Sequence, residues 1–169
     1  MAKISRVTWR AVVSNQPNVE MKSLMAVAET LGLEVTVLTS SREQSNKFTS
    51  DCSTVAAGFK VLRDGKASWK IHYMNLVDEF RRSLDSRLLL LPPPTELPIE
   101  LTAMLAGIVT SLCWEVGIDT PSWASRRYDL SEPWFVSETE SLKAMSILES
   151  PLPFRRNNIF VGSNFLQRA

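Results

Sequence analysis

Residues that commonly carry catalysis or bind metals are scarce in this sequence. There is one histidine, His72, and the two cysteines, Cys52 and Cys113, form no C-x-x-C pair. A disulfide framework and a metal site are therefore not indicated, and both cysteines are predicted to be packing residues. The motifs of phosphate-binding loops, dinucleotide-binding folds, zinc proteases and nucleophile elbows are also absent. We expect no cofactor, no bound metal and no catalytic residue.

His72 is the only side chain that suggests acid–base chemistry near neutral pH. It shares a helix face with Trp69, three residues earlier, whereas Asp78 lies nearly two turns away. The adjacent residues Asp78 and Glu79 point in different directions, so they do not form a paired carboxylate site. We favour a structural histidine beside Trp69, and an enzyme that uses His72 is the least favoured hypothesis.

Acidic residues are missing from both ends of the chain, although the formal net charge is only +1. No Asp or Glu precedes Glu20 or follows Glu149. Both ends are locally basic, which favours contact with phosphates or an acidic protein, unless these are ordinary solvated charges. The basic residues concerned are Lys3, Arg6, Arg10, Arg155, Arg156 and Arg168.

Long apolar runs are also missing. None approaches the roughly 20 residues that span a bilayer, and the first residues lack the continuous apolar block of a signal peptide. The length suits a protein that buries an ordinary hydrophobic core. We expect a soluble cytoplasmic protein.

The segment from Lys3 to Val37 has the order basic helix, turn, helix, strand. Apolar residues recur at helical spacing from Glu20 to Leu31, Gly32 suits the left-handed position that ends a helix, and alternation over Leu33–Leu38 indicates a strand. This order resembles the phage-repressor-like (Xre) helix-turn-helix family, in which the recognition helix is followed by a turn, a helix whose end reads A-x-x-L-G-L, and a strand. The resemblance covers about a fifth of the chain.

The resemblance implies a truncated DNA-binding unit. Met1 stands almost directly before the recognition-helix equivalent, so the two earlier helices of the family are missing. Trp9 is bulky for reading base edges and could pack inward. The alternative is a remnant that now serves folding or dimerisation. The residues expected to contact DNA are Lys3, Ser5, Arg6, Thr8 and Arg10.

A half-domain leaves its apolar helix face without the usual partners. The C-terminal region, a second copy of the chain or another protein could cover that face. We expect a symmetric homodimer, with the strand at Leu33–Leu38 pairing with its counterpart. The residues expected at the dimer interface are Met21, Leu24, Met25, Ala28, Val35 and Val37.

The fold class expected is mainly α: a half helix-turn-helix unit with a short strand at residues 1–39, and a helical bundle domain at 52–169. The polar, aperiodic residues 40–51 are predicted to be a linker. Asp51 or Ser53 could cap the first helix of the bundle, and Ser68 the second. Helices are predicted from Cys52 to Gly65, from Ser68 to Arg82, from Leu97 to Val116 and from about Glu138 to Leu148. A strand is predicted at Asn158–Val161, and a helical turn from Ser163.

The C-terminal region carries a second resemblance. The segments SWKIHYMNLVDEFRR, LLPPPTELP and PLPFRRNNIFVGSNFLQRA are similar to a helical domain of unknown function found downstream of Xre-type segments in antitoxin-like bacterial regulators. The resemblance implies a toxin or another complex subunit as partner. Aromatic residues beside arginines can anchor such a partner, although most of them could equally be core. The residues expected to bind the partner are Phe154, Arg155, Arg156, Trp134 and Phe135.

The sequence thus favours a non-catalytic antitoxin-like or transcription-regulatory protein that binds a partner protein, and DNA as a dimer. The alternative is an interaction subunit of a larger bacterial complex that does not bind DNA.

Overall fold

The computed structural model describes Arg10 and residues 20–32 and 51–167. The chain divides into two compact units, residues 1–41 and 42–169. The fold is mainly α-helical, as expected, and a single pair of very short strands accompanies the helices in the described part of the chain.

The N-terminal unit contains helix α1, Met21–Thr30. Val27 and Ala28 are buried, and Gly32 adopts a positive φ of 67°. The prediction of a helix closed by a left-handed glycine is therefore confirmed. The predicted strand at Leu33–Leu38 lies outside the described residues, as does the predicted linker except for Asp51.

Two helices joined by a tight turn open the C-terminal unit. Helix α2, Thr54–Asp64, is capped by Ser53, whose Oγ accepts a hydrogen bond from the Ala56 N–H at 3.2 Å. A 3-10 turn, Lys66–Ser68, leads into helix α3, Trp69–Ser83. The prediction that the Ser68 side chain caps α3 is wrong, because its Oγ donates to the Gly65 carbonyl at 2.7 Å. The turn runs directly into α3, and the Lys66 carbonyl accepts a hydrogen bond from the Trp69 N–H.

The connector Pro92–Pro94, a run of three prolines, packs against α2. Helix α4, Arg87–Leu90, precedes it, and the Thr54 Oγ1 donates to the Leu91 carbonyl at 2.5 Å. A Cβ on Gly58 would overlap the ring of Pro94. Glycine at this position is therefore required by the close approach of the connector.

Helix α5, Ile99–Val116, confirms the element predicted from Leu97 to Val116 and begins two residues later. It lies at the centre of the core, and Gly117 follows it in the left-handed conformation. In the described part of the chain, it is the helix whose length and mean hydropathy of 1.5 would suit a membrane span. However, 61% of the helix is buried inside the protein. It is enclosed by neighbouring segments as a core helix is, which is compatible with a soluble protein.

Short elements complete the unit. They are helix α6 at Ser122–Ser125, strand β1 at Trp134–Phe135, helix α7 at Glu140–Glu149, helix α8 at Leu152–Arg155 and strand β2 at Ile159–Phe160. The strands pair in parallel, Trp134 with Ile159 and Phe135 with Phe160. The predicted strand after Asn157 is confirmed, whereas residues 163–166 form hydrogen-bonded turns instead of the predicted helical turn.

Candidate functional site

The predicted partner-binding cluster does not form one surface, because Phe154 is a core residue. Its side chain is fully buried and packs edge-on against Phe165, with ring centroids 5.5 Å apart. A Cβ on Gly107 of α5 would lie 2.7 Å from the Phe154 Cδ1. The absence of a side chain on Gly107 makes room for this ring, so Phe154 cannot act as the predicted surface anchor.

The two adjacent arginines point in different directions. Arg155 is exposed, as a partner contact would be. Arg156 turns inward, where its Nη2 donates to the Ala124 carbonyl at 2.5 Å and to the Thr110 Oγ1 at 3.2 Å. The guanidinium of Arg156 holds α6 against α5, which corrects its predicted role in contacting a partner.

Asn157 joins the tail to the core, a role that the sequence did not indicate. Its side chain is fully buried. Its Oδ1 accepts from the Tyr128 N–H at 3.0 Å, while its Nδ2 donates to the carbonyls of Ala103 and Pro153 at 3.4 and 3.3 Å. The next residue, Asn158, adopts a φ of 60° and donates to the Leu130 carbonyl at 3.0 Å. The side chains of Asn157 and Asn158 therefore stabilise the fold.

Trp134 and Phe135 are half-buried in β1. Phe135 stacks on Phe160 of β2 with ring centroids 4.9 Å apart. Trp134 packs against Trp69 of α3 at 5.6 Å and contacts the hydrophobic core. Both rings remain partly accessible to a partner. Phe154 is buried and Arg156 points inward, so these two residues cannot contact a partner together with the rings.

An apolar groove between α3 and α7 is the strongest candidate for a partner site. It has a volume of about 920 Å³. Ile71 of α3 is 64% exposed, and Leu142 and Met145 of α7 are 49% and 50% exposed. We call this surface the α3–α7 groove; its lining on α3, α7 and β2 consists of Lys70, Ile71, Met74, Leu142, Met145, Ser146, Glu149 and Phe160. Polar residues of the tail, Ser163, Asn164 and Gln167, also line it.

Helix α7 presents apolar side chains to solvent and a polar one to the protein. Ser146 is its buried residue, whereas Leu148 is 82% exposed. The end of the helix is held by Ser150, whose Oγ donates to the Ile159 carbonyl at 3.3 Å and accepts from the Val161 N–H at 3.2 Å. Small residues allow α7 to lie against β2. Its larger apolar residues thereby remain available for a partner.

The sequence contained a weak signal for this surface. In the α7 segment, ESLKAMSILE, the apolar residues lie on more than one face of a short helix. A helix that is apolar on several sides is normally buried. The sequence alone could not show that α7 lies at the surface, so the groove was missed.

The N-terminal unit retains part of its predicted surface. Met21, Leu24 and Met25 are exposed on α1, as a dimer interface would require. Ala28 is buried within the single chain, so the prediction that it contacts a second copy at the dimer interface is wrong. Arg10 is helical and exposed. The other predicted DNA-binding residues, Lys3, Ser5, Arg6 and Thr8, and the predicted interface residues Val35 and Val37 lie outside the described residues.

His72 has a structural partner on the preceding helix. Its Nε2 lies 2.9 Å from the Asp64 Oδ2. The Arg63 guanidinium, hydrogen-bonded to Asp64, is the main cause that holds the pKa of that carboxyl below its usual value, and His72 contributes as well. The contact joins the end of α2 to α3 across the turn. The acidic partner of His72 is therefore Asp64 and not Asp78, which the sequence already places nearly two turns away.

Cys113 lies on the buried side of α5. Burial is the main cause that raises the pKa of its thiol, which favours the protonated form. A protonated, buried thiol is a poor nucleophile. Among the described residues, no group of three or more histidine, cysteine, aspartate or glutamate side chains is placed to hold a metal ion.

The chain matches no protein-family model, no curated protein and no solved structure. The geometry of the chain's own residues is therefore what supports a function.

Proposed function

We propose that this chain is a non-catalytic cytoplasmic protein of the antitoxin-like or transcription-regulatory type, with its main partner-binding site in the α3–α7 groove. The groove would receive an apolar segment of the partner protein, such as the hydrophobic face of a helix. In this mode of recognition, apolar side chains spaced by one helical turn on the partner insert into a hydrophobic groove. The exposed walls of the groove are the observation that carries the proposal.

The chemistry of the groove favours a protein segment as the occupant. Ile71, Leu142 and Met145 offer large apolar contact areas, and Met74 and Phe160 lie deeper. Methionine adapts its shape to a partner side chain at little cost. Burial of these exposed residues would supply the hydrophobic stabilisation that typically dominates association.

Charge placed in the groove should disrupt the complex. We expect Leu142→Lys combined with Met145→Lys to weaken partner binding by at least tenfold, because both side chains would enter the interface. The measurement is co-purification with the products of the neighbouring genes after co-expression, followed by affinity determination on the recovered complex. Lysine is a good helix former, so α7 should be retained.

Leu148→Lys is the matched control for this experiment. Leu148 is on the same helix and more exposed, but it does not line the groove. We expect this variant to bind the partner normally. Equal binding by the double variant and the wild type, or equal loss in the control, would contradict the assignment to the groove.

The N-terminal unit supports a second activity, DNA binding as a dimer. The absence of acidic residues before Glu20 makes this segment locally basic, and Arg10 is exposed on a helix. Met21, Leu24 and Met25 offer an apolar face for self-association. The alternative, an interaction subunit without DNA binding, predicts the same groove but no affinity for DNA.

Salt dependence distinguishes these alternatives. We expect binding to the promoter region of its own gene to weaken steeply with salt. Arg6→Ala with Arg10→Ala should reduce the slope of log affinity against log salt by about 1 for each phosphate that is no longer neutralised. Arg126→Ala with Arg127→Ala is the control for charge removed from the other unit. Sedimentation of the same samples would report the dimer. Salt-independent or absent binding would favour the interaction subunit.

A further inference from the structure

A second cavity, separate from the α3–α7 groove, opens beside the first turns of α3 and α5. It has a volume of about 710 Å³, and Trp69 and Trp134 form part of its wall. Cavities of this size accommodate small organic ligands or a whole amino-acid side chain with its flanking atoms. It shares no lining residue with the groove. We call it the indole cavity.

The aromatic wall of the indole cavity packs against neighbouring aromatic rings. The planes of the two indole rings are inclined at 67° with centroids 5.6 Å apart. Tyr73 and Phe165 pack against Trp69 at 5.8 and 6.2 Å. Two inclined, half-buried rings form a rigid corner. Such aromatic surfaces attract organic cations through the negative potential of the ring faces.

The charge around this corner is predominantly negative. Glu100, Asp129 and Glu132 line the cavity, and Lys66 is the cationic residue among the lining residues. Lys66 pairs with Glu100 at 3.2 Å, and Asp129 pairs with Arg127 at 2.6 Å, where both partners are largely exposed. Pairs this exposed are weak and can exchange partners. The carboxylates would repel a phosphate and stabilise a cation.

Glu100 is ionised at neutral pH. Its own backbone N–H in the first turn of α5 is the main cause that holds the pKa of the carboxyl below its usual value, and Lys66 contributes further. The carboxyl of Glu100 is therefore available as an anion under physiological conditions, and a bound cation would compete with Lys66 for it.

We propose that the indole cavity binds an organic cation, a guanidinium or alkylammonium group, with the ring corner of Trp69 and Trp134 against the cation and the carboxylates Glu100 and Glu132 beside it. This chemistry is shared by an arginine side chain on a protein and by a free small-molecule cation. Among the described residues, no set of three or more metal-ligating side chains is placed to hold a metal ion, so an organic cation suits this aromatic lining better. The site goes beyond the proposed partner-binding function and does not depend on it.

Direct binding can be followed on the full chain labelled with 5-fluorotryptophan. The probes are N-acetyl-arginine amide, its neutral analogue N-acetyl-citrulline amide, and inorganic phosphate. We expect saturable shifts of the Trp69 and Trp134 fluorine resonances with the arginine probe only. Equal shifts with citrulline, a response to phosphate in its place, or no saturation with any cation would overturn the proposal.

Variants test the two components of the site separately. Glu132 is exposed at the rim, so Glu132→Gln should leave the fold intact. We expect it to weaken binding of the arginine probe by about threefold or more, and Trp134→Leu by about fivefold or more, in line with the strength of cation–π contacts. Glu138→Gln, an exposed carboxylate that does not line the cavity, should have no effect. Thermal melting of each variant separates weaker binding from impaired folding, and Glu132→Gln with unchanged affinity would contradict the proposed electrostatic role.

The source of the cation is decided by comparing a free and a peptide-borne probe. Butylguanidine, whose guanidinium is its single charge, presents this group as a small molecule, and a pentapeptide with central arginine and neutral capped ends presents it on a chain. Similar affinities would assign a small-molecule ligand, whereas about tenfold tighter peptide binding would assign a protein side chain. Binding of neither probe would refute the site, while the groove experiment would be unaffected.

Discussion

Truncation of Phe154 to alanine is expected to lower the free energy of unfolding by about 3–5 kcal/mol, as for other large aromatic residues in cores. The side chain is fully buried between α5 and the tail, and Gly107 faces its ring at a distance that leaves no room for a methyl group. Alanine would leave a cavity in a place that rigid helices cannot readily fill. Urea denaturation of the purified chain measures the change.

Leu152→Ala provides the control on the same short helix. Leu152 is 56% exposed, so its truncation should change stability by about 0.5 kcal/mol or less. Phe154→Leu keeps most of the volume and should fall between the two, which preserves a measurable transition if the alanine variant does not fold. Wild-type stability together with impaired partner binding in Phe154→Ala would contradict the core assignment and restore a role for this ring as an anchor.

Asn157→Ala is expected to cost about 2–4 kcal/mol, because it removes the partners of several buried polar groups at once. The Tyr128 N–H would lose its acceptor, and the carbonyls of Ala103 and Pro153 would lose a donor. Unfolding by urea gives the global effect. Faster amide hydrogen exchange at Tyr128 would report the local change.

Arg155→Ala is the neighbouring control for Asn157. Arg155 is exposed and precedes Asn157 by two residues, so its removal should leave both stability and the Tyr128 amide unchanged. A similar cost for both substitutions would mean that the tail is sensitive to any change. Unchanged Tyr128 exchange in Asn157→Ala would show that the side-chain bridge does not protect that amide.

Local features of the chain were readable from the sequence. The helices α1, α2 and α5 were predicted because their apolar residues recur at helical spacing, and Gly32 and Gly65 were each placed at the end of a helix. These signals depend on residues within one or two helical turns. Element ends and the Ser68 cap were less accurate, because the 3-10 turn before α3 competes for the same hydrogen-bonding groups.

Local periodicity could not predict which way each side chain of the tail points. Phe154, Arg155 and Arg156 are consecutive, and composition alone made them an aromatic and basic surface cluster. The packing of α8 against α5 sends Phe154 into the core and Arg156 towards Ala124, while Arg155 stays outside. Contacts between residues that are far apart in sequence decide which of three neighbours faces solvent.

The sequence by itself determined the helical class, the core helix α5 and the scarcity of residues suited to catalysis, since each depends on composition or local periodicity. Only the tertiary structure decided that α7 lies with its apolar residues outward and that Trp69 meets Trp134. The physical reason is that the type of a hydrophobic residue indicates that it favours burial, but not which residues it packs against. Whether a given apolar residue belongs to the core, to the α3–α7 groove or to the indole cavity is settled only when distant segments have packed.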